Sequence, residues 1–251
     1  MIMRIDLYLV ENNYFKSRNK AKEAIDSKSV LVNGIVCEKA STDVSANDII
    51  EVIDVMPYVS RGGLKLEKAI IEFRLDFNDK IIVDIGASTG GFTDCSLKHN
   101  AKKVYAIDVG TNQLDAKLAS DHRVVNMSQT NIKDVEGFAD KIDYLVMDVS
   151  FVSIEHLLPS LERFITKDNA LVCLIKPQFE VGKTFIKNGV VKDRKAHLFV
   201  LNNVSKALRS FGLGIEKLIE SPILGKSGNK EFLALIKRGI DNKINFLEIL
   251  K

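Results

Sequence analysis

A glycine-rich turn that joins an apolar strand to a helix constrains this chain more than any other feature. Residues 81–85 are largely apolar, and Gly86, Gly90 and Gly91 lie within the six residues that follow. Glycine has no Cβ and adopts positive φ at little cost, so such a turn lets the backbone approach a ligand closely. The next apolar run ends at Asp108, about twenty residues beyond the turn, where nucleotide-binding folds hold an acid against ribose hydroxyls. The pattern therefore predicts a ligand that carries a nucleoside.

The spacing of the turn separates two classes of nucleotide-binding protein. A nicotinamide-binding turn follows G-x-G-x-x-G, and Ala87 and Ser88 do not supply its second glycine. The pattern Asp84-x-Gly86-x-x-x-Gly90 instead resembles the first motif of S-adenosylmethionine-dependent methyltransferases. That resemblance implies S-adenosyl-L-methionine as the cofactor.

The same turn also fits a different class of enzyme. Gly86-x-Ser88-x-Gly90 matches the nucleophile elbow of α/β-hydrolases, and Asp148 and His197 follow in the order that a Ser, Asp, His triad requires. A hydrolase has no use for a carboxylate such as Asp108 at the end of the second strand. We therefore favour the nucleotide-binding interpretation.

The composition is that of an ordinary globular protein. The chain has 251 residues, of which 46% are hydrophobic and 27% charged, and a net charge of only +3, so contact with nucleic acid must come from local basic patches. Cys37, Cys95 and Cys173 lack metal-ligand spacing, which predicts reduced thiols and no metal site. Neither a signal peptide nor an uninterrupted apolar run of about eighteen residues is present. We expect a cytoplasmic monomer without a membrane span.

Residues 1–56 are predicted to form a small independent α+β domain. A short helix over 20–25 precedes a hairpin over 30–36, whose Asn33-Gly34 pair is a strong turn signal, and an alternating strand follows over 48–53. The segments 4–9, 17–21 and 30–34 resemble the alpha-L RNA-binding fold. The residues predicted to contact RNA here are the cations near the helix entrance together with one at the start of the chain: Arg4, Lys16, Arg18, Lys20 and Lys22.

A linker over 57–63 leads to a second domain over 64–251. A helix over 64–75 is followed by alternating strands and helices, which predicts a doubly wound, Rossmann-like α/β sheet. The predicted strands cover 81–86, 103–108, 123–127, 143–148, 170–176, 214–220 and 231–237, and the predicted helices cover 91–99, 112–120, 153–163 and 194–210. The last dozen residues are expected to fray or form a short helix.

Charged residues end several of the apolar strands. Ligands bind beyond the carboxyl ends of such strands, where Asp108, Asp148 and Lys176 are expected. An acid or a lysine is costly at the end of a buried strand unless it is paired or used. Together with Lys65 and Glu231, these residues predict a polar site at one edge of the sheet.

Five motifs in this order resemble the TlyA family of ribosomal RNA ribose 2'-O-methyltransferases, whose catalytic domain is FtsJ-like. They cover residues 59–66, 84–94, 148–153, 176–182 and 227–232. The resemblance implies methyl transfer from S-adenosylmethionine to a cytidine ribose hydroxyl in ribosomal RNA. It also implies a catalytic tetrad, which falls on Lys65, Asp148, Lys176 and Glu231.

The resemblance implies a role for each site residue. Lys176 would be the general base that takes the hydroxyl proton, because a ribose hydroxyl is a poor nucleophile near neutral pH; Asp148 and Glu231 would orient it, and Lys65 would help to position the ribose. The residues assigned to the cofactor are those of the turn and of the second strand end: Asp84, Gly86, Ala87, Ser88, Thr89, Gly90, Gly91, Asp108 and Val109. Further RNA contacts are assigned to Arg61, Lys183 and Lys187.

The chain departs from the family in two places. Ser128-Gln129 replaces a Glu-Arg pair, and Tyr58 stands where many relatives have tryptophan. The short segment before Arg4 resembles the shorter branch of the family, which implies large-subunit ribosomal RNA as the only substrate. Two other functions remain open: a non-catalytic RNA-binding assembly factor, and a hemolysin, a name that this family has carried.

Overall fold

The computed structural model describes residues 2–52, 56–182, 185–225, 227–240 and 244–250. The chain divides into two compact units, Met1–Pro57 and Tyr58–Lys251. Each unit has its own apolar core.

The first unit combines two helices with two small antiparallel sheets. Its elements are β1 (Ile2–Arg4), α1 (Ile5–Glu11), α2 (Arg18–Asp26), β2 (Val30–Val32), β3 (Ile35–Val36), β4 (Asp43–Ser45) and β5 (Ile50–Val52). Strand β1 pairs with β4, and β2 pairs with both β3 and β5. The predicted hairpin is confirmed, since Asn33 and Gly34 have φ of 52° and 77°, as its two-residue turn requires.

Local hydrogen bonds set the ends of these elements. Ser17 caps α2, because its Oγ accepts the Lys20 N–H at 3.4 Å, and the helix therefore begins before the predicted 20–25. The strand predicted over 48–53 begins at Ile50, because the Asp48 carboxylate accepts the Ser45 N–H at 2.7 Å and closes a turn. Residue 53 of that prediction lies outside the described residues.

The second unit carries the large sheet. Its strands are β6 (Ile81–Ile85), β7 (Lys103–Asp108), β8 (Val124–Ser128), β9 (Tyr144–Met147), β10 (Ala170–Ile175), β11 (Leu213–Glu220) and β12 (Phe232–Arg238). Its helices are α3 (Gly62–Phe73), α4 (Gly91–Lys98), α5 (Ala116–Ala119), α6 (Ile154–Leu161), α7 (Pro177–Glu180), α8 (Arg194–Ser210) and α9 (Phe246–Ile249).

The seven strands have the order β11-β12-β10-β9-β6-β7-β8. The run from β10 to β8 is parallel, whereas β12 is antiparallel to both β10 and β11. The predicted Rossmann-like sheet is confirmed. Because β12 runs in the opposite direction, its amino end lies at the edge where the parallel strands have their carboxyl ends.

Successive residues of the central strands point to opposite faces of this sheet. Val83 and Ile85 of β6 join the core that includes α6 and α8, whereas Ile82 joins the core that includes α3 and α4. Burial on both faces explains why these strands are almost continuously apolar.

Helices α3 and α5 do not begin where the sequence predicted. Helix α3 begins at Gly62, inside the segment 57–63 that the sequence suggested as a linker. The helix predicted over 112–120 covers only 116–119, because Asn112 has a φ of 46° and its N–H donates to Ser128 Oγ at 2.9 Å. The Asp115 carboxylate then caps α5 by accepting the Lys117 N–H at 3.0 Å.

Candidate active site

The glycine turn lies where β6 and β9 end side by side. Gly86 has a φ of 82°, and a Cβ at this position would lie 2.9 Å from the carbonyl oxygen of Asp148. A side chain here would therefore clash with backbone as well as strain the turn. The close approach brings the turn next to the first residue after β9.

Asp108 organises the tip of the turn. One carboxylate oxygen accepts the Ser88 N–H at 2.8 Å and the other accepts the Gly110 N–H at 2.7 Å. Ser88 has a φ of 48°, so these bonds hold a backbone conformation that non-glycine residues rarely adopt. A carboxylate has about four lone-pair sites and can accept ribose hydroxyls in addition to these two bonds.

A small pocket opens between this turn and β8. Its lining includes Ala87, Ser88, Asp108, Gln113 and Ser128. The Ser88 hydroxyl lies 3.2 Å from Gln113 Oε1, to which it donates. The pocket therefore presents polar groups on both sides of a site next to Asp108.

Asp84 faces the protein interior. Its side chain is fully buried, and the Thr93 hydroxyl donates to its Oδ2 at 2.7 Å. Burial raises the pKa of Asp84 to about 7, against the hydrogen bond from Thr93, which lowers it. Asp84 therefore stabilises the turn from the protein interior, through its hydrogen bond with Thr93. Direct contact between Asp84 and a cofactor stays a prediction.

The remaining turn residues divide into packed and exposed ones. A Cβ on Gly90 would clash with the side chains of Leu114 and Leu118, and a Cβ on Gly91 would clash with Ser60 Oγ. These two glycines are therefore needed for packing. Two other predicted contact residues, Thr89 and Val109, are exposed at the same edge of the sheet.

The four residues of the predicted tetrad come together at the carboxyl edge. Asp148 directly follows β9, Lys176 directly follows β10, Lys65 lies in the first turn of α3, and Glu231 directly precedes β12. Lys65 Nζ lies 2.7 Å from Glu231 Oε2 and 3.8 Å from Asp148 Oδ2, and Lys176 Nζ lies 2.5 Å from Asp148 Oδ1. Asp148 thus bridges two ammonium groups.

The tetrad is charge-balanced and nearly closed to solvent. Lys65 and Lys176 are each 8% exposed and Glu231 is 3% exposed, whereas the Asp148 side chain is 21% exposed. Buried charges are tolerated because each has an opposite partner, and removal of one partner leaves an uncompensated charge. Asp148 is the most exposed of the four residues, so a substrate hydroxyl can approach the tetrad from its side.

Two further side chains, which the sequence did not indicate, form hydrogen bonds with the tetrad. Ser150 Oγ accepts from Lys176 Nζ at 2.9 Å, and the Gln178 amide donates to Glu231 Oε1 at 3.1 Å. Each lies two residues after a tetrad member in the sequence, and that proximity is the only signal that could have found them.

Gly225 also shapes the tetrad. A Cβ at Gly225 would overlap the Glu231 carboxylate, because the turn that leads into β12 folds back on itself through a 2.8 Å bond from the Gly225 N–H to the Asn229 carbonyl. No local pattern in the sequence indicates this contact, since it depends on how the turn folds.

An aromatic pair borders the tetrad. Phe151 is 90% exposed with a φ of 65°, and its ring lies 5.1 Å from that of Phe179. Lys176 Nζ lies 5.8 Å from the centre of the Phe179 ring. A bulky residue with positive φ is uncommon, and such strain often occurs at functional sites.

The residues predicted to bind RNA lie in different settings. In the first unit, Arg4 and Arg18 donate to the buried carboxylate of Asp6 at 2.9–3.1 Å, and Lys20 pairs with Glu23 at 3.2 Å. The other cations predicted to bind RNA are exposed or half-buried, namely Lys16, Lys22, Arg61 and Lys187. Lys183 lies outside the described residues.

Ser128 and Gln129, which replace a Glu-Arg pair of the family, hold the loop after β7. Ser128 Oγ accepts the Asn112 N–H and donates to the Gly110 carbonyl at 3.1 Å, and the Gln129 amide donates to the Thr111 hydroxyl at 2.8 Å. Their contacts here are therefore within the protein.

This sheet, with its glycine turn, strand-end acid and lysine-carboxylate cluster, has the architecture of an enzyme that acts with a nucleoside cofactor. Residues 58–238 match the FtsJ-like methyltransferase family, and residues 3–50 match the S4 domain. The chain belongs to the FtsJ-like methyltransferase family.

Curated relatives match along nearly the whole chain. Hemolysin A of Brachyspira hyodysenteriae is 44% identical over 92% of this chain and 98% of the relative. YqxC of Bacillus subtilis, a proposed rRNA methyltransferase, is 41% identical over 92% of this chain and 84% of the relative.

Two further relatives have names that state a reaction. TlyA of Mycobacterium tuberculosis, a 16S/23S rRNA (cytidine-2'-O)-methyltransferase, is 34% identical over 96% of this chain and 92% of the relative. TlyA of Campylobacter jejuni, a 23S rRNA (cytidine-2'-O)-methyltransferase, is 34% identical over 92% of this chain and 97% of the relative. The resemblance to the TlyA family is thereby confirmed.

Solved structures agree with this fold. A proposed hemolysin from Streptococcus thermophilus is 38% identical and has a TM-score of 0.78, over 99% of this chain and 94% of that chain. A proposed S-adenosylmethionine-dependent methyltransferase from Listeria monocytogenes, at 15% identity and a TM-score of 0.52 over 71% of this chain and 99% of that chain, shares the fold. No helix among the described residues is long and apolar enough to cross a membrane.

Proposed function

We propose that this protein transfers a methyl group from S-adenosylmethionine to the 2'-hydroxyl of a cytidine in large-subunit ribosomal RNA. The observation that carries the proposal is the contact of Lys176 with Asp148, the most exposed residue of the tetrad, next to the glycine turn. The TlyA relatives of M. tuberculosis and C. jejuni are both named for cytidine 2'-O-methylation of 23S rRNA, which supports the choice of substrate. An rRNA substrate also favours action in the cytoplasm.

The chain's own residues would bind the cofactor by its nucleoside end. Asp108 would accept the ribose hydroxyls, and the base would lie beside Ala87 and Ser128, which border the small pocket next to Asp108. The exposed turn residues Ser88 and Thr89 would lie along the rest of the molecule. When bound, the cofactor supplies an electrophilic methyl group on a sulfonium.

The tetrad would prepare the acceptor hydroxyl. Lys176, once its ammonium group has given up a proton, would take the proton of the 2'-hydroxyl on Nζ, and Asp148 would hold the amine in place. Lys65, fixed by Glu231 at 2.7 Å, would orient the ribose. Much of the rate would come from alignment of the donor and acceptor, because effective molarities of well-oriented groups are large.

We propose residues 1–56 as the RNA-binding domain, followed by a linker over 57–63 and the catalytic domain. The S4 match at residues 3–50 supports this role. The exposed Lys16 and the half-buried Lys22 are its candidate phosphate contacts.

The first test is methyl transfer from labelled S-adenosylmethionine to large and small ribosomal subunits that lack the modification, assayed separately. Lys176→Ala is expected to abolish transfer and to leave cofactor affinity within about twofold, because the amine acts on the acceptor. Lys80→Ala is the matched control, since Lys80 lies just before β6, at the opposite edge of the sheet.

Label on ribose of the large subunit would support the proposal. Label on both subunits would extend the substrate to the small subunit, in line with the M. tuberculosis relative, whose name gives both 16S and 23S rRNA. Full turnover by Lys176→Ala would contradict the assigned base, and no cofactor binding by the wild type would favour a non-catalytic RNA-binding factor.

A further inference from the structure

A second aromatic pair lies on the surface at the start of α8. The Phe185 and Phe199 rings lie 5.9 Å apart with an angle of 24° between their planes, and the side chains are 43% and 47% exposed. Two stacked rings that remain nearly half exposed leave apolar faces in contact with water. A contiguous apolar surface of this kind, with polar residues around it, is typical of an interaction site.

Three lysines lie close to this pair in the sequence. Lys187, Lys192 and Lys195 are exposed, and none of them pairs with an acidic side chain of the described residues. Asp193 is the one acid in residues 185–199 of the sequence. Its carboxylate accepts the Lys195 N–H at 2.8 Å and caps α8. The ammonium groups are therefore available to an anionic partner.

The surface is tied to the tetrad by a buried side chain. Asn229 is 1% exposed; its Oδ1 accepts the Val191 N–H at 2.9 Å, and its amide donates to the Gly189 carbonyl at 2.8 Å. It lies two residues before Glu231 in the chain. The loop that carries Lys187 and the turn that carries Glu231 are thus held as one structure.

We propose that Phe185 and Phe199 stack an unpaired base of the substrate RNA, while Lys187, Lys192 and Lys195 contact its phosphates. This inference rests on the proposed function. Aromatic faces beside a basic groove are how proteins hold single-stranded nucleic acid. The Asn229 connection favours RNA over other anionic partners, because it fixes the surface relative to the residues that would position the reacting ribose.

The test separates the aromatic face from general hydrophobicity. Phe199→Leu keeps an apolar side chain but removes the ring, and Phe199→Tyr keeps the ring. Stacking predicts that Phe199→Leu raises the KM for subunit RNA by about 5- to 50-fold and that Phe199→Tyr changes it less than about twofold. The kcat at saturating RNA and the affinity for the cofactor are expected to stay unchanged.

A charge variant gives a second readout. Lys195→Ala is expected to reduce the slope of log affinity against log salt by about 0.7, the value for one phosphate contact on a single strand. Lys206→Ala is the control, because Lys206 is also exposed on α8 but lies eleven residues further along.

The outcomes distinguish this inference from the proposed function. Wild-type transfer with an unchanged KM in Phe199→Leu would overturn the stacking surface and leave the methyltransferase function intact. Cosedimentation with phosphatidylglycerol vesicles that depends on Phe185 and Lys195, with no effect on RNA, would assign the surface to a membrane instead. Absence of transfer by the wild type, with normal RNA binding that depends on Phe199, would support the surface and contradict the enzyme.

Discussion

Single contacts hold the charged side chains of the tetrad in position. Glu231 fixes Lys65 and accepts from the Gln178 amide, and its carboxylate lies against the α-carbon of Gly225. Any atom added at Gly225 must therefore displace Glu231 or the turn. A shift of about 1 Å in a positioning group can lower a rate by about two orders of magnitude.

Gly225→Ala is accordingly expected to lower kcat by about 10- to 100-fold, because Glu231 moves away from Lys65. Affinity for the cofactor should not change, since the glycine turn at Gly86 is separate from this loop. Single-turnover methyl transfer measures the rate, titration with the cofactor measures the affinity, and thermal unfolding followed by circular dichroism checks that the variant is folded. Gly137→Ala is the control, because a Cβ there meets nothing within 4 Å; equal rates for the two variants would refute the steric argument.

Among the elements of the first unit, one buried carboxylate connects α1 with β1 and α2. Asp6 in α1 is fully buried and accepts from Arg4, at the end of β1, and from Arg18, at the start of α2. Burial raises the pKa of Asp6, but the hydrogen bonds and charges of Arg18 and Arg4 outweigh it and hold that pKa below its usual range. The two arginines thus support the fold as well as being candidates for RNA contact.

Asp6→Asn is expected to destabilise the first unit by about 1–3 kcal/mol, since it weakens three charged hydrogen bonds, two from Arg4 and one from Arg18. The sign of the pH effect follows from the lowered pKa: the stabilisation by Asp6 is present above pH about 4, the usual carboxyl pKa, and is lost as the pH falls through the folded-state value. Hydrogen exchange of the α1 and α2 amides at pH 7 measures the change in the full chain. Asp26→Asn, at an exposed position of α2, should leave that exchange unaltered.

At the scale of the whole molecule, RNA binding must depend on a few local cations, because the net charge is only +3. Several of the predicted cations already have partners within the protein, as Arg4, Arg18 and Lys20 do. Lys16 is the exposed cation beside them, and Lys22 is half-buried on α2. The first unit can therefore contribute to affinity without taking part in the reaction.

The double variant Lys16→Ala/Lys22→Ala is expected to raise the KM for subunit RNA by about tenfold and to reduce the salt slope by about one to two, with kcat unchanged. Steady-state transfer at several salt concentrations gives all three values. A fall in kcat with an unchanged KM would mean that these lysines act elsewhere than on RNA phosphates.

The alternating α/β order, the glycine turn and the acid at the end of β7 could be predicted from the sequence, because they depend on local periodicity and on residues close together in the chain. The sequence also supplied the four tetrad residues, through resemblance to a family. The predicted bounds were wrong where a contact with a distant residue outweighed local helix propensity. One example is α5, which is shorter than predicted because the Asn112 N–H donates to Ser128.

Contacts between residues that are distant in the sequence could not be predicted, because they depend on the fold. Glu231 reaches Lys65, 166 positions away in the chain, because β12 is antiparallel and begins at the edge where β9 and β10 end. The fit of Glu231 against Gly225, and the pairing of Phe185 with Phe199, likewise depend on how loops fold against each other. Such contacts leave no periodic signal, because they arise from packing between segments whose separation in the sequence is arbitrary.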